Sequence, residues 1–400
     1  MKRIISIFLT TFLLFATSLS VSADVNPEAA IGSINYDTLQ EAINNAQDGD
    51  TITVLRDIAV DYNTLITIAP AAAINLTIDL NQKKISYPED GEWGNAALTI
   101  SKPITLCIKN GKIDTCEDHE AIDIACVEEK AVDLTLFSVT IQSGHAALYS
   151  DVSDVKGKNK ITLENVDITS DEYGVQVSYA DITFKSGSIH TIGDETFSLS
   201  NCSLTIENGE FITTEDSCMD LYLDNILVIN GGYFESLDDD VLYLGDDSTA
   251  TINKGTFKAI TSAINFGDAG AIINGGYFES KEGNALEVGY NDILLNGGIF
   301  IGGDGNNALF KLSYVDGEII IGERRIAVDE DGIKLEDIYD SFYVEIIKLP
   351  EPDKKPTKAG EKDLNEDGII SCEEEIGSKS WIWSDNKKAC VYKVSNTSVK

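Results

Sequence analysis

Carboxylates gathered at turns are the commonest chemically active groups in this chain. Glu117, Asp118 and Glu120 are followed by Asp171 and Glu172, Asp194 and Glu195, Glu215 and Asp216, Asp238 to Asp240, Glu282 and Asp304. Stacked at one corner of a repeating fold, such groups could coordinate calcium or divide the roles of acid and base. The simpler use, and the leading reading, is to solvate turns and block edge growth. Asp238, Asp239 and Asp240, with Asp246 and Asp247, are the candidate catalytic set if one exists. Tyr222, Tyr233, Tyr243, Tyr277 and Tyr290 are the candidate ligand-binding set, because a phenol offers a flat apolar face and a polar tip. Structural packing is the alternative for these rings. His119, His145 and His190 fall near turns of different repeats and read as solvated. Arginine is scarce: after Arg3 only Arg56, Arg324 and Arg325 occur, so the middle repeats have none.

The tail carries the most specific motif. Asp363, Asn365, Asp367 and Glu374 occupy positions 1, 3, 5 and 12 of an Asp-x-Asn-x-Asp-Gly loop, with the Ile369 carbonyl at position 7 and Gly368 at the bend. This loop resembles one EF-hand or dockerin half-motif, though the entering helix and a second copy are missing, and the resemblance implies calcium as a cofactor. Cys372 and Cys390 flank Trp381-Ile382-Trp383 and form the candidate disulfide, closing a loop in a segment too short for its own core. The stretch from Cys372 to Ser398 is similar to a C-terminal module of bacterial surface proteins. The remaining five cysteines are too sparse for a disulfide scaffold, and an odd total of seven leaves at least one unpaired.

What positions these groups is a repeat. Ile229-Asn-Gly-Gly-Tyr-Phe234 returns as Ile273-Asn-Gly-Gly-Tyr-Phe278, with weaker copies ending at Ile113, Phe211, Phe257 and Phe300. Between them runs an apolar-x-apolar pair, Val175/Val177, Phe197/Leu199, Met219/Leu221, Leu242/Leu244, Ile264/Phe266 and Leu286/Val288, at steps of 22, 22, 23, 22 and 22 residues. Period two means strand. At about 3.3 Å per residue, 22 residues make three short strands and three turns, one coil of a parallel β-helix. A single coil buries too little to fold alone, so coils must stack and the ends must be capped. The expected fold is all-β: a right-handed parallel β-helix of about ten rungs with a short N-terminal capping helix and a small C-terminal module.

Both ends are legible. Lys2, Arg3, an apolar run from Ile4 and Val21-Ser-Ala23 read as a signal peptide over 1–23, so a secreted or cell-surface location is expected. Residues 24–75 read as cap and first strands, 76–346 as β-helix, 347–361 as a Pro/Lys-rich linker and 362–400 as the tail module. No later run approaches the length of a transmembrane segment. Asp37-Thr-Leu-Gln is a capping-box-like helix start, followed by Leu39, Ala42, Ile43 and Ala46 on one face. The entry segment from Asp37 to Ile52, with the rungs behind it, resembles the pectin-lyase-like β-helix superfamily. That resemblance implies fold strongly and activity weakly, since the superfamily holds lyases, hydrolases, esterases and adhesins. Its enzymes acting on polyuronates are expected to set a basic residue among carboxylates, material that is poor here.

A formal charge of −37 repels nucleic acid and polyanions alike. The expected function is therefore a non-catalytic, exported β-helix binding a polysaccharide or surface glycan. The alternative is a polysaccharide lyase or glycoside hydrolase working in a groove along the helix.

Overall fold

The computed structural model describes residues 26–349 except 89–94, 117, 127–130, 152–156, 312 and 314, together with the backbone of a hairpin at 381–384 and 389–392. Its period-two segments form strands and stack as the spacing requires. The fold is all-β with one short helix, a right-handed parallel β-solenoid of about 11 turns. One side of the coils builds an eleven-stranded parallel sheet, the front sheet, from Ile66–Ile68 through Asn95–Ile100, His119–Asp123, Ala146–Ser150, Tyr173–Ser178, Phe197–Ser200, Met219–Leu223, Leu242–Asp246, Ile264–Phe266 and Leu286–Val288 to Leu309–Lys311. A long bent sheet wraps the remaining sides. The coil holding Ile66–Ile68 precedes residue 76, the expected start of the rungs, and lacks their glycine-phenylalanine signature.

Inside, like sits on like. Phe211, Phe234, Phe257, Phe278 and Phe300 are in register on successive strands and wholly buried. Their ring centroids are 4.7–4.9 Å apart and their planes within 15° of parallel, which is the spacing that the inter-strand hydrogen bonds impose. Phe184 and Phe197 close the upper end of this stack edge-on. The glycine two places earlier has a double cause, shown by Gly255. Its φ is +138°, and a Cβ there would lie 2.9 Å from the Phe257 ring. Only glycine turns this corner and leaves room for the ring.

Both ends are closed. Thr38 Oγ1 accepts from the Glu41 amide at 3.1 Å, starting the helix Leu39–Asn45, which buries Leu39, Ala42 and Ile43. Ala29–Ile31 lies antiparallel on Thr51–Val54, and Tyr343–Lys348 lies antiparallel on Gly298–Ile301 and Arg325–Val328. These antiparallel strands cap the long sheet at both of its ends. The repeat did not signal either strand.

Truncating a ring in mid-stack leaves a cavity its neighbours cannot fill without losing register. Phe257→Ala should lower the unfolding free energy by about 3–5 kcal/mol, read as a fall in the denaturant midpoint; an unchanged midpoint would contradict the stack.

Candidate functional site: an acidic and aromatic groove on the front sheet

The strand ends that enter the front sheet are held by a buried hydroxyl ladder. Ser143 Oγ donates to the His119 carbonyl at 3.0 Å, Ser170 to His145 at 2.9 Å, Thr213 to Asp194 at 3.0 Å and Ser236 to Asp216 at 2.7 Å. Each hydroxyl follows the core Ile or Phe of its rung by two residues, so the ring that packs inside also sets the corner outside. The signal, apolar-x-Ser/Thr, is visible in the sequence once this role is known.

These corners carry the acid. Successive rungs place His145, Glu172, Asp194, Asp216 and Asp239 at corresponding positions, about 4.8 Å per step. His145 is not the solvated residue its turn position implied. Its Nδ1 lies 3.3 Å from Glu120 and its Nε2 3.3 Å from Glu172, and the hydrogen bond with Glu120 holds its pKa up against burial. His119 is fully buried and stacks on Tyr87 at 4.0 Å. His190 alone is half-exposed, against Glu210 at 2.9 Å.

Beyond the corner, the outward side chains of the front strands form one in-register column: Asp123, Tyr149, Gln176, Ser198, Asp220, Tyr243, Asn265 and Glu287. A register shift after Leu199 inserts Tyr222 as an extra residue. Its hydroxyl then lies 3.1 Å from both Glu195 Oε1 and Asp220 Oδ2. One phenolic proton cannot serve both, so a second proton is needed. The two carboxyls are themselves within hydrogen-bonding reach, and Glu195 Oε2 and Asp220 Oδ1, both buried, receive no donor from the protein. Burial first, and neighbouring carboxylates next, push Glu195 up to about 8 and Asp220 to about 6. The pair therefore shares a proton near neutral pH. Burial also raises Asp123 to about 6. Sequence reading placed Glu195 among the corner acids and missed Asp220, which is distant in the chain and meets Glu195 only through stacking.

The aspartates named as candidates should the chain be an enzyme are not brought together. Asp240 is fixed by Thr261, by the Ser262 amide at 2.7 Å and by Asn265 at 3.1 Å, while Asp239 accepts from Thr261 at 2.9 Å. Asp238 takes part in the same turn through its amide to Ser236. Asp246 and Asp247 lie at the far end of the strand Leu242–Asp246, about 20 Å away along an extended chain. The tyrosines divide as well. Tyr222, Tyr243 and Tyr290 line the front sheet, whereas Tyr233 and Tyr277 stand on the long sheet, Tyr233 donating to Glu235 at 2.8 Å.

Among the described residues, two of the cavities open along the front sheet. One, of about 270 Å³, is walled by Tyr149, Gln176, Ser198 and Tyr222; the other, of about 240 Å³, by Tyr243, Asn265, Glu287 and Tyr290. Neither wall contains lysine or arginine. Among the described residues, no group of three or more His, Cys, Asp and Glu is arranged to hold a metal ion, and no helix is long and apolar enough to cross a membrane. The calcium loop at Asp363, Asn365, Asp367, Ile369 and Glu374, and the side chains of Cys372 and Cys390, lie outside the described residues. Cys107, Cys202 and Cys218 are free thiols, and burial pushes Cys218 up to about 12. Comparison with protein-family models, with curated proteins and with solved structures returned no match.

Because Glu195 and Asp220 bind protons more tightly folded than unfolded, they destabilise the fold as pH rises from about 4 to 8. The melting temperature should fall across that window. Glu195→Gln, which keeps the shape and removes the titration, should flatten the fall and raise Tm at pH 8 by about 2–4 °C per kcal/mol relieved. Parallel pH profiles for the variant and the parent would refute the shared proton.

Proposed function

We propose that the chain is a non-catalytic, exported β-helix that binds a glycan of no net negative charge along its front sheet. The observation that carries this is the pair of shallow cavities on one sheet face, each walled by tyrosine rings, by hydrogen-bonding side chains such as Gln176, Ser198 and Asn265, and by carboxylates, Asp151 in one and Asp246, Asp268 and Glu287 in the other. Tyr222 and Tyr290 are about half exposed, at 47% and 53%. Such rings lie ready to stack on sugar faces while Gln, Ser and Asn meet hydroxyls. A uronate polymer fits badly: the corners present carboxylates and the walls present no cation.

Binding is preferred over cleavage for a geometric reason. Glycoside hydrolysis by two carboxyls needs them about 5–9.5 Å apart, on either side of the scissile bond. The Tyr222 hydroxyl lies 3.1 Å from both Glu195 and Asp220 and occupies the place between them that a sugar would need. The likeness of the entry segment to the pectin-lyase-like superfamily supports an extended-polymer ligand and is silent on activity.

Glycan-array screening followed by calorimetry tests the reading. Tyr222→Ala and Tyr290→Ala should each weaken binding about tenfold, the loss of about 1–2 kcal/mol of ring contact. Tyr233→Ala, on the other sheet, should leave affinity unchanged. Equal affinity in all four proteins, or hydrolysis of the bound glycan, would overturn it.

A further inference from the structure

One face of the long sheet carries a column that the acid elsewhere avoids. Outward-facing residues on twelve of its strands stand in register, one per coil, from Thr51 to Ile320. Threonine fills seven of these places, Val228, Ile272, Leu294 and Ile320 fill four, and Cys107 fills the last. None is charged, in a chain of formal charge −37. β-Branched residues suit any exposed strand, but that preference does not explain why charge is kept out of one column. Two residues earlier on the same coils stand Asp133, Lys160 and Asp181, and two residues later Glu164, Lys185 and Glu207. Between Ile226 and Asn274 the flanking places lose their charge as well. Ile226, Ile272 and Ile320 are 54%, 41% and 46% exposed, and a stripe of this kind marks a contact surface.

The partner that fits is a second copy of this chain. At −37 each, two copies repel wherever acid faces acid, and the uncharged column is where they can meet. A copy also presents the same comb at about 4.8 Å, and identical ladders interdigitate between paired sheets. Twelve strands at that spacing span about 53 Å and three outward positions per strand about 13 Å, which makes about 700 Å² per copy. A stable complex usually buries about 800 Å² on each partner, so the face is nearly large enough alone. Rotation by 180° about an axis parallel to the solenoid lays each coil on its own equivalent and crosses the flanking columns. Lys160 then stands opposite the partner's Glu164 and Asp181 opposite the partner's Lys185, while Val228, Ile272, Leu294 and Ile320 each meet themselves. The antiparallel arrangement that keeps these charges paired sets Thr162 against the partner's Thr183 and leaves Leu294 and Ile320 uncovered.

We propose that this face is the interface of a homodimer, two solenoids side by side with parallel axes, related by a two-fold axis that runs along the column. The aliphatic half of the column supplies its apolar core, and the charge pairs at the rim set register more than affinity. Cys107 of each copy lies at the axis and faces the other. Sheets packed face to face stand about 10 Å apart, beyond the roughly 7 Å between Cα atoms that a disulfide tolerates. The two thiols are therefore joined by a reagent with a spacer and not by direct oxidation. Strands of the front sheet take no part, so each copy keeps its groove open.

Sedimentation velocity on the mature full-length protein, together with crosslinking by a short bifunctional maleimide, tests the proposal. The parent should sediment as a dimer, and the maleimide should join two chains in the parent but not in Cys107→Ser. Ile272→Lys sets two lysines against each other on the axis and should raise the dimer dissociation constant about tenfold or more. Ile192→Lys, similarly exposed at 47% but off this face, should leave it unchanged. If melting shows that Ile272→Lys does not fold, Thr251→Lys, one coil earlier in the column, takes its place. A parent that stays monomeric up to its solubility limit overturns the dimer. A dimer that the column lysine does not weaken, or that Ile192→Lys weakens equally, overturns the choice of face. Dissociation by the column lysine without crosslinking through Cys107 overturns the parallel two-fold arrangement.

Discussion

Stacking at the inter-strand distance is the constraint from which the rest of this molecule follows. Main-chain hydrogen bonds fix the rungs at the spacing seen between the phenylalanine rings, 4.7–4.9 Å. That spacing is also a good one for offset aromatic contact, so the side chains and the backbone favour the same register. Two residues beyond the ring position, a buried Ser or Thr in several rungs ties down the corner of the preceding rung through its carbonyl. The outward acids and tyrosines thus inherit an order that is set inside. A register slip of one residue would turn the Phe ladder to solvent and the acid column inward.

The same constraint explains why like charges lie so close. Repeating a rung repeats its corner, and an acid that is harmless once becomes a column when stacked. The fold manages the repulsion in three ways along one face. His145 sits between Glu120 and Glu172. Asp240 accepts three donors from the following rung. Glu195 and Asp220 hold a proton between them beneath Tyr222. Glu120 Oε2 in the first arrangement, and Glu195 Oε2 and Asp220 Oδ1 in the third, receive no donor from the protein.

Much of the fold was legible because its signals are local. The 22-residue step, the period-two pairs and the glycine before Phe are properties of single rungs, and Thr38 announces its own helix. The antiparallel caps were not legible, because nothing in Ala29–Ile31 or Tyr343–Lys348 says which strand it will meet. The site was half legible. Scarce arginine argued against uronate chemistry, and of the five tyrosines named as one set Tyr222, Tyr243 and Tyr290 line the front sheet, whereas Tyr233 and Tyr277 share their spacing and belong to another sheet. Asp238 to Asp240 and Asp246 to Asp247 are neighbours in sequence and sit at opposite ends of a strand. Glu195 and Asp220 are 25 residues apart in sequence and meet because one coil separates them. The bulge that brings Tyr222 over them is a register event, invisible without the partner strand.

The central claim is that the front sheet is the working face. A crystal structure of the full chain with a bound neutral glycan oligomer tests it most directly. Sugar rings lying along the column from Tyr149 to Glu287, against Tyr222, are the predicted result. Sugar density over Tyr233 and Tyr277 on the long sheet would contradict it.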